Sequence, residues 1–247
     1  MSAIVISPMG SAGDGAWRFV LTLAARPDTP PWVLVGGLMV QLHALEHGMT
    51  DVRATRDADV LVDVLAAPNG IRVMCDVLAS LGLEFEGANS HGVGHRFSRG
   101  SGANAVSVDV LAPDRLGIRT STVTIPPART VQMPGGRRIL RHTEAVEVTY
   151  DHQRATLRRP ALLAAVIGKS RAWAIDTRSP ARDRHLEDAA MLLAMLPDPI
   201  DLASRLDRKE RAAMRTLAAL LPPTHSAWRR LGDRAADGIS ALSFLSA

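Results

Sequence analysis

Over the first 150 residues the apolar positions fall in short runs or alternate with polar ones; after about residue 157 they recur at helical spacing. Trp32-Val33-Leu34-Val35 is too short for a helix and reads as a buried strand, closed by Gly36-Gly37. Helices are predicted on either side of it, over 14–26 and 38–47. Residues 56–64 combine acids with the apolar run Val60-Leu61-Val62 and predict the next strand. Pro68-Asn69-Gly70 marks a turn before a helix over 71–81, which Gly82 stops. Short strands are expected at 83–86, 94–99 and 104–111, with a Gly/Ser turn at 100–102, and extended segments at 121–125 and 145–150. Helices are expected over 160–173, 180–196, 201–220 and 226–245, with Pro160 and Pro180 in first turns. The pattern predicts an α+β chain, with a mixed-sheet α/β core over 1–155 and a helical region over 156–247.

Composition narrows this picture. With 247 residues and 47% hydrophobic content, the chain can bury a core and does not read as disordered. Aromatic residues make up 4%, which argues against a stacking platform for single-stranded nucleic acid. The single cysteine, Cys75, makes no intrachain disulfide and no cysteine-rich zinc site, which suits a reducing cytoplasm. The first residues lack a basic stretch followed by an apolar one, so no secretory signal is read there, and no apolar run is long enough to span a bilayer. The formal charge is +4; residues 151–247 hold 16 basic and 11 acidic side chains. A basic C-terminal half fits a polyanionic substrate or an ordinary solvated helix surface. Only Lys169 and Lys209 are lysines, so each marks a place where a compact point charge stands in an arginine-using chain.

The chemistry centres on Arg56-Asp57-Ala58-Asp59-Val60-Leu61-Val62. On a strand, Asp57 and Asp59 point to one face, where their charges repel unless a cation intervenes. A hard divalent ion suits them, since Mg²⁺ is usually held by one or two carboxylates plus substrate phosphates. Upstream, Gly36-Gly37 joins a strand to a helix and leaves backbone N–H groups able to seat phosphates. Alone, each feature has a plain alternative: a solvated acidic loop and a tight turn. Asp109 shares a strand face with Ser107 and Leu111; it completes a carboxylate cluster if its strand lies beside 57–62, or is an acid at a strand end.

Together, Gly36-Gly37, a helix, and Arg53-x-Thr55-x-Asp57-x-Asp59 followed by apolar residues resemble nucleotidyltransferases of the AbiEii toxin type, which include the MenT toxins. His95-Arg96-Phe97 and Val108-Asp109-Val110-Leu111 are similar to a strand pair of that family. The resemblance covers roughly residues 30–195 and does not extend to the last fifty. It implies a nucleotidyltransferase-like mixed sheet, Mg²⁺ as cofactor held by Asp57, Asp59 and Asp109, and an NTP as donor. It also implies nucleotide contacts at Gly36, Gly37, Arg53, Thr55, Arg96 and Lys169. The family carries a lysine on a helix after the sheet, matched by Lys169, and a later acid. For that acid Asp188 is preferred and Asp183 is the alternative; the two lie about 140° apart round an ideal helix.

The function this resemblance implies is NMP transfer to an acceptor hydroxyl, the 3′ end of tRNA, in a cytoplasmic toxin with a cognate antitoxin protein. Other readings stay open. One is transfer to a small cationic acceptor such as an aminoglycoside, which would call for an acidic pocket where RNA calls for a basic one. Others are a non-catalytic nucleotide-binding module, and an unrelated fold with Asp57-x-Asp59 on a surface loop. Lys169 could snorkel to solvent, and Arg53, Arg96, Asp183 or Asp188 could sit in structural ion pairs.

Overall fold

A computed structural model describes residues 3–8, 10–49, 52–101, 105–177 and 179–247. The chain runs through β1 (Ile4–Val5), α1 (Ser11–Ala24), β2 (Trp32–Val35), α2 (Gly36–Glu46), β3 (Asp57–Val62), α3 (Gly70–Ser80), β4 (Glu84–Phe85) and β5 (Arg96–Arg99). It continues through β6 (Val106–Pro113), β7 (Gln132–Met133), α4 (Gly136–Arg141), β8 (Thr143–Tyr150) and β9 (Gln153–Pro160). Helices α5 (Leu162–Ile175), α6 (Ser179–Leu193), α7 (Pro199–Ser204) and α8 (Arg208–Leu220) come next, then a 3-10 helix at Ser226–Arg234 and α9 (Ala235–Ser246). Two compact units result: Met1–Met39 with Arg53–Pro160, and Val40–Val52 with Ala161–Ala247.

In the first unit a six-stranded sheet has the order β2-β3-β6-β5-β4, with β7 added to β6. β2 is antiparallel to β3, and β3 is parallel to β6. Both faces of these central strands are largely buried, which is why they read as apolar runs rather than as clean alternation. Val33, Val35 and Leu61 pack with Ile139 of α4, and Leu111, Met133 and Leu140 lie against that cluster. A second, three-stranded sheet has the order β1-β8-β9. Cys75 is fully buried in α3, and burial pushes its thiol pKa up to about 12. That is an inert core residue.

The second unit is helical. α5 buries every residue from Leu163 to Ser170, a stretch that is apolar except for Lys169 and Ser170. α8 starts at a capping box in which Asp207 and Glu210 satisfy each other's backbone N–H groups. No described helix is long and apolar enough to cross a membrane.

Several segments differ from the sequence expectation. Residues 153–160 form β9, paired along its length with β8, so Pro160 ends a strand rather than opening a helix. The extended segment at 121–125 makes only an isolated bridge, Val123 to Arg129. Helix 201–220 is two helices, α7 and α8, and 226–245 is broken at Gly232, where φ is 53°. The Gly/Ser turn at 100–102 and the strand start at 104 run into residues that lie outside the described ones.

Candidate active site

The strand–helix junction at Gly36 brings the motif together. Register pairs Val35 with Asp59, so the first residue of α2 lies next to the Asp59 side chain. Gly36 has φ +70°, and a Cβ built on it would lie 1.7 Å from Asp59 Oδ2. Only a residue without a side chain lets the carboxylate lie against the backbone there. A Cβ on Gly37 would meet the Thr55 methyl at 3.2 Å and Arg53 Nη2 at 3.5 Å. Thr55 is buried, and its hydroxyl accepts a hydrogen bond from the Asp57 amide at 3.2 Å, which fixes the entry into β3. The structure therefore gathers Gly36, Gly37, Arg53, Thr55 and Asp59 around the N-terminus of α2. Asp57 and Asp59 are each partly buried on one face of β3, while Ala58, Val60 and Val62 on the other face are fully buried.

β6 lies beside β3 with Asp57 opposite Ser107 and Asp59 opposite Asp109. The pairing that would make a carboxylate row is present in the backbone. The Asp109 side chain, however, is held by Arg96 across the antiparallel β5–β6 pair. Arg96 Nε donates to Asp109 Oδ1 and Nη2 to Oδ2, both at 2.7 Å, a bidentate fork. His95 Nε2 stands 3.9 Å from Asp109 Oδ2. Those hydrogen bonds, with smaller contributions from the Asp57 and Glu86 charges, raise the pKa of the Arg96 guanidinium above its already high ordinary value. Among the described residues, Asp57, Asp59 and Asp109 do not bring one oxygen each within 4.8 Å of the others.

The second unit holds the other two candidates. Lys169 Nζ donates to Asp188 Oδ2 at 2.6 Å, joining α5 to α6, and the two residues are 7% and 9% exposed. The anion that the buried ammonium meets is this carboxylate, while Asp183 is exposed. One turn before Asp188, His185 Nε2 lies 3.5 Å from Asp176 Oδ2. Burial first, and the Lys169 charge second, hold the His185 pKa below its ordinary value of 6.5.

The sequence pattern assigned no role to His95, Ser107, His185 or Asp176. Two of them carried a local signal. His185 stands three residues before Asp188, the spacing that puts side chains on one helix face. Ser107 stands two before Asp109, the strand equivalent.

No protein-family model and no curated protein sequence matches the chain. Among solved structures, the chain is similar to the crystal structure of an antigenic nucleotidyltransferase-like protein from Paracoccidioides brasiliensis. The two are 16% identical, with a TM-score of 0.51, over 90% of this chain and 94% of that one. At that identity the likeness concerns the fold, and the fold of this chain is nucleotidyltransferase-like.

Proposed function

We propose that the chain is a Mg²⁺-dependent nucleotidyltransferase, and that the Asp57–Asp59 face beside the Gly36-Gly37 junction is its transfer centre. The observation that carries this is the contact of the Asp59 carboxylate with Gly36 at the head of α2. It sets hard oxygen donors beside the N-terminus of a helix, where an anionic phosphate is favoured. Asp57 and Asp59, half-buried on one strand face, fit the donor set that Mg²⁺ takes. Bound there, Mg²⁺ would offset phosphate charge and lower the pKa of the acceptor hydroxyl.

The reaction forms a bond from the acceptor oxygen to the α-phosphorus and breaks the bond to pyrophosphate, which leaves. Charge neutralisation and positioning are what the protein contributes. Gly36 and Gly37 offer backbone N–H groups to the phosphates, and Arg53, against Gly37, offers a guanidinium. Asp109 stands in register to act as a further ligand, and would do so by giving up part of its fork with Arg96. Lys169 is assigned a phosphate contact on the motif resemblance alone, with Asp188 orienting its ammonium. The same resemblance extends the proposal to the 3′ end of tRNA as acceptor, in the cytoplasm, and to a toxin with an antitoxin partner.

Calorimetric titration with a non-hydrolysable NTP analogue tests the centre. Wild type is expected to bind more tightly with Mg²⁺ than without. Asp57→Asn is expected to stay folded and to show no gain from Mg²⁺. An unchanged Mg²⁺ gain in the variant would overturn the assignment.

A further inference from the structure

The basic charge best placed to meet a polyanion is in the first unit, on the segment between β6 and β8. Residues 115–142 contain Arg115, Arg119, Arg129, Arg137, Arg138 and Arg141, and no aspartate or glutamate. All but Arg138 are exposed. Tertiary packing fixes where part of this charge lies. Ile139 and Leu140 seat α4 on Val33, Val35, Leu61 and Leu111. Leu61 and Leu111 stand two residues beyond Asp59 and Asp109 on paired strands, so they share the carboxylates' face. One such step is about 7 Å along a strand. α4 therefore borders the carboxylates on the same sheet face.

The local hydrogen bonds among the described residues hold this surface in shape and engage few of the guanidinium donors of Arg115, Arg137 and Arg141. The Arg137 amide donates to Asp114 Oδ1 at 3.2 Å, and Arg137 Nη1 donates to the Arg115 carbonyl at 3.2 Å. Arg141 Nε donates to the Arg137 carbonyl at 3.4 Å. Arg115 stands 3.8 Å from Asp114, with its side chain 68% exposed. A guanidinium has five N–H donors, so each retains several for a ligand.

We propose that Arg115, Arg137 and Arg141, around α4, form a docking surface for the backbone phosphates of an RNA acceptor. This rests on reading the neighbouring carboxylate face as the transfer centre. An acidic face alone would suit a cationic acceptor; an acidic centre flanked by a surface where Arg115, Arg137 and Arg141 outnumber the neighbouring Asp114 suits a polyanion whose end reaches the centre. With so few aromatic residues, recognition runs through phosphates rather than base stacking, and is sequence-independent and salt-sensitive.

The test is binding of fluorescently labelled bulk tRNA to the full chain over a range of NaCl concentrations, without NTP or metal. Absence of transfer activity would then bear on the catalytic reading and leave this result standing. Two triple variants are compared with wild type: Arg115→Gln with Arg137→Gln and Arg141→Gln, and the same three positions changed to Lys. The Gln variant is expected to bind at least about tenfold more weakly, and its log–log salt slope to shrink by about 2, near 0.7 for each phosphate no longer neutralised. The Lys variant is expected to keep most of both. Wild-type affinity and slope in the Gln variant would overturn the proposal. So would an equal weakening in the Lys variant, or wild-type binding to phosphatidylserine vesicles but not to tRNA.

Discussion

Gly36 has no side chain, and with φ at +70° and Asp59 against its Cα it tolerates none without moving the carboxylate. Gly36→Ala is expected to cost about 1–2 kcal/mol from the left-handed backbone alone. Displacing Asp59 by even about 1 Å is expected to lower transfer by about 100-fold beyond that. A thermal melt and a turnover assay on the same sample separate the two effects; activity that falls only as far as the folded fraction would contradict the geometric account. His185 gives a second prediction at this scale. Its folded pKa is depressed, so on acidification the unfolded chain takes up the proton first, near the ordinary 6.5. Stability is therefore lost as pH falls through that value, and the loss stops below the folded pKa. Between about pH 7.5 and 5.5 the wild-type melting temperature is expected to fall more than that of His185→Gln, and parallel curves would remove His185 as the cause. That Gly36-Gly37 and Asp57-x-Asp59 belong to one site was implied by the family resemblance; the contact of Gly36 with Asp59 comes from the antiparallel pairing of β2 with β3, which the local pattern does not state. An ion pair for Arg96 was among the sequence readings, but its partner Asp109 was not, because residues thirteen apart become cross-strand partners only through a register that no local pattern states.

Among the elements, the contrast between β3 and β9 shows which signals survive folding. β3 announces itself by Val60-Leu61-Val62, whose burial needs no partner-specific chemistry. β9 reads Gln-Arg-Ala-Thr-Leu-Arg-Arg-Pro, and its buried set includes Arg159, whose charge is answered by Glu144 directly opposite on β8, 2.9 Å away. A buried arginine is a tertiary arrangement, so the strand's inner face looks polar in sequence. α4, with six residues, is too short to display a helical period. The α7–α8 break was readable: Asp198-Pro199 is an N-cap followed by a first-turn proline, and Asp207 with Glu210 is a capping box. Asp207→Ala is expected to cost about 1 kcal/mol, read as a lower melting temperature with wild-type turnover. An unchanged melt would mean that α8 is held by packing alone.

For the whole molecule, the α+β plan with a helical C-terminal part is present, and 90% of the chain aligns with a nucleotidyltransferase-like structure at 16% identity. A fold kept at that identity is carried by the buried strands and helix faces, which many side chains can fill. Chemistry does not follow from fold, so it must be read from the site. Net charge was a weaker guide than its placement. The C-terminal half drew attention by its excess of basic residues, while α4, within the acid-free stretch 115–142, packs on the sheet face that carries the carboxylates. The central claim is that the Asp57–Asp59 face transfers a nucleotide. The most direct measurement incubates wild type and Asp57→Asn with each α-³²P-labelled NTP, Mg²⁺ and total tRNA. Label on tRNA, from one or more NTPs, is expected with wild type and none with the variant. Equal labelling by both proteins, or no Mg²⁺-dependent use of any NTP by wild type on tRNA or on small hydroxylated acceptors, would contradict it.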